Sequence, residues 1–468
     1  MSYSANLSIY DDLKNGDYAA PSIYLAAMKN RLPKFDVATI EARLQKVLAR
    51  EDVDELVAVE ASEDGQSFMI VFSSQDEDED GEVFSTHFMF EVRLHENTEP
   101  EEWAYEAAEY RNRNLLEDER MEMHQATQIL ECLMYVNEDW GQTHVLLQYA
   151  VMDAIAGECY ALQDLVSSQF FSGTWLAEMA KSLVPPSPEI YYVIHVITSD
   201  EQPNDIWMHT HGLLKFGLPE LEALRVRRDQ VSCVQQVMSS LANCLLDNPK
   251  IWQQDEAFTI AQSEQQEIAV RLMAWQDALK SDALAPMKKG LFKQKMEPFS
   301  GDLSEREDGD IHTEPSMVIL ADMNGKVMNF SELGDLLVHE KNHMMTMMPN
   351  SETMRMFYQA KEKLPLFAGC LKRHAPEEGK WGYMMKIRCE SDSTEAAEHM
   401  WFTVHAIDDD SVSATLENEP FNIPEMKAGE KYTLPLENAV DWRIYSTPLQ
   451  ASIAPDDAYR LRRYLNAN

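Results

Sequence analysis

Two histidine strings carry residue types and spacings that could do chemistry. The sharper is His339-Glu340-Lys341-Asn342-His343, which fits H-E-x-x-H. On a helix its two imidazoles project to one side, one turn apart, and can share a zinc ion. The glutamate can then act as general base on metal-bound water. A helix is expected here. Asn329 and Glu332 form a capping-box pattern, Met328 and Leu333 stand at staple positions, and Pro349 closes the run. Other features weigh against zinc. His343 is followed by Met344-Met345-Thr346, without the glycine of the extended form, and neither Glu362 nor Glu377 is singled out as a third ligand. At about 100° per residue, Glu340 falls among Leu333, Leu337 and Met344, so the competing reading is an amphipathic helix with a polar rim.

The second string is His209-Thr210-His211. On a strand, residues two apart face one side, so both imidazoles can meet one metal ion. His195, on the preceding strand, supplies a third nitrogen if the two strands pair in register. The alternative is a pair of hydrogen-bonded histidines beside a turn, with Gly212, Gly217 and Pro219 bending the chain. Phosphate-cradling and nucleophile-elbow patterns are missing from the sequence, which has only 17 glycines.

The elements that must position these residues are mixed. Asp36 is placed to cap a helix carrying Val37, Ile40, Leu44, Val47 and Leu48. A meander follows: Leu56 to Glu60, a turn at Asp64-Gly65, then Ser67 to Phe72. The acidic run Asp76 to Asp80 reads as a solvated loop tip. The next strand sets Phe84, Phe88, Phe90, Val92 and Leu94 on one face. Residues 99–136 read as helix-rich, and further helices are expected near His144 to Ala156 and Trp175 to Leu183. The cluster Pro185-Pro186-Ser187-Pro188 marks a boundary. Beyond it, Ile190 to Thr198 and Ile206 to His211 read as strands. Asp229 to Leu246 and Glu264 to Leu279 read as helices. Residues 300–315 read as a long polar loop, and Ser316 to Leu320 as a short strand. A helical stretch from Ser351 towards Lys372 is disturbed at Pro365, and short strands fill the chain from Trp381 onward.

The chain has 468 residues, 45% of them hydrophobic and 26% charged, as in ordinary globular proteins. Its formal charge of −40 argues against a nucleic-acid backbone and against an anionic membrane surface. The N-terminus shows no basic region ahead of an apolar core, and the run Val145 to Ala156 is far short of a membrane span. Six scattered cysteines form no C-x-x-C pair, which fits free thiols in a reducing cytoplasm. The 27 methionines suit irregular cores and adaptable binding surfaces alike.

Four ordered strings near the C-terminus carry a resemblance: Glu398-His399-Met400-Trp401, Leu416-Glu417-Asn418-Glu419-Pro420, Lys427-Ala428-Gly429-Glu430 and Asp441-Trp442. This region resembles the bacterial YegJ-like family, domain of unknown function 2314. Farther upstream stand Trp175-Leu176, Tyr191-Tyr192-Val193-Ile194-His195, Trp207 to Leu213 and Phe216 to Glu222. The body of the chain resembles a second bacterial family, domain of unknown function 4026. Neither resemblance implies an activity or a catalytic residue. The recurrence of related modules beside toxin–immunity genes implies protein binding.

The expected fold class is α+β and multidomain. The expected divisions are an N-terminal α+β domain (1–184), a middle α+β domain with an acidic loop (185–315), a strand and helical connector (316–378) and a C-terminal β-rich module (379–468). The expected function is that of a cytoplasmic, non-enzymatic protein binding another protein, a basic toxin being one concrete form, with neither nucleic acid nor membrane as partner. The alternative is a zinc-dependent hydrolase using His339, Glu340 and His343. His339, His343, His209 and His211 are the candidate metal ligands, and zinc the candidate cofactor.

Overall fold

The computed structural model describes residues 8–18, 20–77, 83–109, 114–136, 140–198, 202–254, 256–262, 267–284, 299–306, 311–333, 345–374, 377, 379–391 and 397–467. Three sheets organise them.

The first holds β1 (Ser22–Met28), β2 (Glu55–Ala61), β3 (Ser67–Glu77), β4 (Val83–Glu96), β5 (Gln128–Met134), β6 (Cys159–Asp164) and β7 (Gln169–Ser172), in the order β2-β3-β4-β5-β1-β6-β7. Period-two patterning builds it: Phe88, Phe90 and Val92 are buried on one face of β4. Phe84 is exposed, because β5 pairs with β4 only from Glu91 onward. The helix Gly141–Ala156 is apolar on nearly every side and lies in the core of this unit.

The second sheet holds β8 (Val193–Ile197), β9 (Ile206–His211), β10 (Glu220–Val226), β11 (Phe258–Gln262), β12 (Glu267–Ala274), β13 (Ser316–Met323), β14 (Lys326–Asn329) and β15 (Met345–Thr346). Its order is β15-β11-β12-β13-β10-β9-β8, with β14 on β13. One face packs on the helix Val231–Asp247 through Met208, Leu221 and Ala223. The other carries Trp207, Leu224, Val318 and Leu320, which pack with Trp275, Leu284 and Phe299.

The third sheet holds β16 (Trp381–Glu390), β17 (Ala397–Ile407), β18 (Ser411–Leu416), β19 (Lys431–Pro435), β20 (Ala439–Ser446) and β21 (Ala451–Ile453), ordered β19-β18-β17-β16-β20-β21. The helix Asn350–His374 covers it. Phe367 packs on Trp442, whose indole N–H donates to the Ala360 carbonyl at 3.1 Å. Pro365 lies on the exposed side of that helix, which continues through it.

The architecture is α+β and multidomain, as expected. Three local expectations are corrected. Residues 264–279, expected as one helix, contain β12 and a short helix Trp275–Ala278. Ile268, Val270 and Leu272 all enter the core, alternating with Ala269 and Arg271, and pairing with β13 overrides the helical reading. Of the helix expected from Asn329 to Pro349, residues 334–344 lie outside the described residues; at its ends Phe330–Leu333 forms a 3-10 turn and Met345–Thr346 pairs as a strand with Ala261 and Gln262. The connector divides: β13 is an inner strand of the second sheet, while Asn350–His374 packs on the third. At the N-terminus, Tyr10 and Leu13 pack into the second core rather than the first.

Candidate metal centre

Strands β8 and β9 pair antiparallel with His195 opposite His209 and Val193 opposite His211. Opposed residues share a face, and so do residues two apart. The register therefore brings His195, His209 and His211 together. Each offers a ring nitrogen within 4.8 Å of the other two. Their ring centroids lie 5.4, 4.9 and 4.7 Å apart.

Two buried glutamates hold this arrangement. The Glu220 carboxylate accepts the backbone N–H groups of Gly212 and Leu213, at 2.8 and 2.9 Å, and the Thr210 hydroxyl at 2.6 Å. That clamps the turn leaving β9. Burial pushes the Glu220 carboxyl up, against these donors. Glu222 lies opposite His209 on β10. It accepts the Arg306 guanidinium at 2.6 and 3.0 Å, the Trp207 indole N–H at 2.9 Å and the Ser316 hydroxyl. Gly212 makes the turn possible. Its φ is +121°, and a Cβ there would lie 2.2 Å from the Tyr191 carbonyl oxygen.

A covering segment completes the enclosure. Arg306 is buried between Trp207 and Trp275 and donates to the His312 carbonyl at 2.8 Å. His312, on the turn Ile311–Thr313, sets its ring 4.8 Å from that of His209. With Glu314 it lines a cavity of about 10 Å³. That is room for about one water-sized sphere.

The electrostatics favour neutral imidazole. Burial, then the neighbouring His211, His312 and His195, push His209 down to about 2. Burial and His312 also lower His195. Both nitrogens of His209 are buried without a hydrogen-bond partner. Neutral imidazole is the metal-ligating form. A tetrahedral zinc with bonds of about 2.0–2.1 Å needs its nitrogens roughly 3.4 Å apart, closer than the 4.8 Å within which these nitrogens lie.

The second histidine string and its conditional third member thus meet on one sheet face. His339, Glu340 and His343 lie outside the described residues. Glu362 is committed elsewhere, accepting from Ser182, Leu183 and Val184, and Glu377 pairs with His374. Sequence reasoning missed His312, Glu220, Glu222 and Arg306. The stretch around Arg306 and His312 has no periodic pattern. For Glu220 and Glu222, two acids alternating along a β-prone run after a histidine pair were the available signal.

Comparison with known families places these elements. Residues 23–186 match the N-terminal domain, and residues 194–320 the C-terminal domain, of a family described as a protein of unknown function, DUF4026. The chain belongs to the DUF4026 family. Residues 351–450 match DUF2314, described as an uncharacterized protein conserved in bacteria. No curated protein and no solved structure matches the chain. The DUF4026 C-terminal match spans all three histidines of the cluster, and the DUF2314 match begins within the helix Asn350–His374.

Proposed function

We propose that this DUF4026 chain is a metal-binding protein holding one borderline divalent ion, zinc by preference, on His195, His209 and His211. The observation that carries the reading is His209: both ring nitrogens are buried and unpartnered, within reach of two further imidazoles. A buried polar group without a partner costs stability, and a metal bond would remove that cost for one of the two His209 nitrogens. An all-imidazole set suits zinc, copper or nickel better than magnesium or calcium. Room for about one water favours a structural or sensing ion over a centre that must admit a peptide bond. Zinc competition against a chromogenic chelator tests this. His209→Ala and His211→Ala are each expected to weaken binding at least about 100-fold, and His339→Ala to leave it unchanged. Equal affinity in all three variants overturns the site.

Protein binding is the second reading. The −40 charge favours it, since an acidic surface speeds encounter with a basic partner. A cytoplasmic setting belongs to the same reading and is supported by six free cysteines. Among the described residues, no helix is long and apolar enough to cross a membrane.

A further inference from the structure

A cleft of about 900 Å³ opens where the three units meet. Trp140 comes from beside the first sheet, Leu246 from the helix on the second, and Met354 and Tyr358 from the helix on the third. Arg355 fastens its floor, donating to Glu352 at 2.7 Å, Asp456 at 2.9 Å and the Pro185 carbonyl at 3.2 Å. The wall is apolar and open: Leu183, Met354 and Tyr358 are 43%, 48% and 52% exposed, and the nearby Met347 and Met348 are exposed as well. Methionine-rich surfaces adapt to varied apolar shapes. Among the described lining residues, Arg355 is the one cation, and it is already ion-paired; of the acids, Glu352 is paired with Arg355 and Glu362 with Lys363, which leaves Asp247 at the rim.

We propose that this cleft docks a cationic, amphipathic segment of another protein. Its apolar side chains seat on Leu183, Met354 and Tyr358, and its Lys or Arg side chains face the acidic rim at Asp247. The proposal rests on the protein-binding reading and gives it a location. Charge complementarity selects the occupant: apolar walls alone would take any greasy ligand, but a rim without a free cation repels acidic ones.

Fluorescence anisotropy on the full chain tests it with two labelled helical peptides. One is an amphipathic leucine–lysine peptide; its twin carries glutamate in place of lysine. The lysine peptide is expected to bind and the twin not to. Leu183→Asp and Tyr358→Asp should each weaken binding about tenfold or more. Val57→Asp, which changes an exposed apolar residue on the first sheet, should leave it unchanged. Thermal melts confirm that each variant folds. Wild-type affinity in both cleft variants overturns the cleft while leaving protein binding standing at another surface. Equal binding of the twin overturns the charge argument. Failure of both peptides on the wild-type chain at low salt overturns the cleft and leaves protein binding at another surface standing.

Discussion

At the scale of single residues, the second unit spends its buried charge on positioning. Glu220 and Glu222 are satisfied by backbone, hydroxyl, indole and guanidinium donors, so neither is available as a metal ligand. His209 is the contrasting case, with two nitrogens unpartnered. A separate buried histidine gives a clean pH prediction. His144 packs against Phe88 and Phe90, and burial pushes it down to about 4. An unfolded histidine titrates near 6.5, so the unfolded chain takes up a proton first as pH falls. The stability tied to neutral His144 is present above about pH 6.5 and is lost as pH falls towards 4. Between pH 7 and pH 5 the loss amounts to about 2 kcal/mol. Urea unfolding at both values should show a pH dependence smaller by about that amount in His144→Gln. An unchanged dependence would contradict the assignment.

At the scale of elements, the metal centre depends on strand register. A one-residue slip of β8 against β9 would send His195 to the opposite face. Gly212 guards that register, because the chain leaves β9 through a conformation only glycine takes without strain, against the Tyr191 carbonyl. Gly212→Ala is expected to destabilise the chain by about 2–4 kcal/mol and to weaken zinc binding, as read by urea unfolding and chelator competition. Near-wild-type values for both would mean the turn relaxes freely. This part of the site was legible in sequence. Ile206 to His211 reads as a strand from β-branched and aromatic residues, and H-x-H on a strand has one geometric meaning. His195 was legible only conditionally, since register is set by the whole sheet. The Arg306–Glu222 pair was not legible. It joins positions 84 residues apart, and the polar stretch that holds Arg306 reads as solvated until a sheet face is there to bury it. Residues 264–279 misled in the opposite sense, because a short apolar run fits both periods and its neighbour β13 decides.

At the scale of the whole molecule, three sheets meet through helices and long-range ion pairs. Lys363 bonds Glu178 at 2.8 Å, and Lys215 bonds Asp164 at 2.5 Å with both side chains fully buried. Such pairs tie the DUF4026 body to the DUF2314 module and one sheet to another, and no local pattern announces them. The proline cluster falls between the strands of the first and second sheets, and the short strands from Trp381 onward build the third. The sharing of 316–374 between two units was not, because connectivity does not show which core a strand or helix joins. The acidic surface and the apolar cleft are properties at this same scale, while the histidine centre lies within one sheet. We propose that this centre holds an ion. Elemental mass spectrometry on untagged chain, purified without added metal or chelator, tests it most directly. About one zinc, copper or nickel per chain is expected, lost in His209→Ala and His211→Ala and kept in His339→Ala. A chain without metal, or one that keeps its ion when His209 and His211 are both replaced, would contradict it.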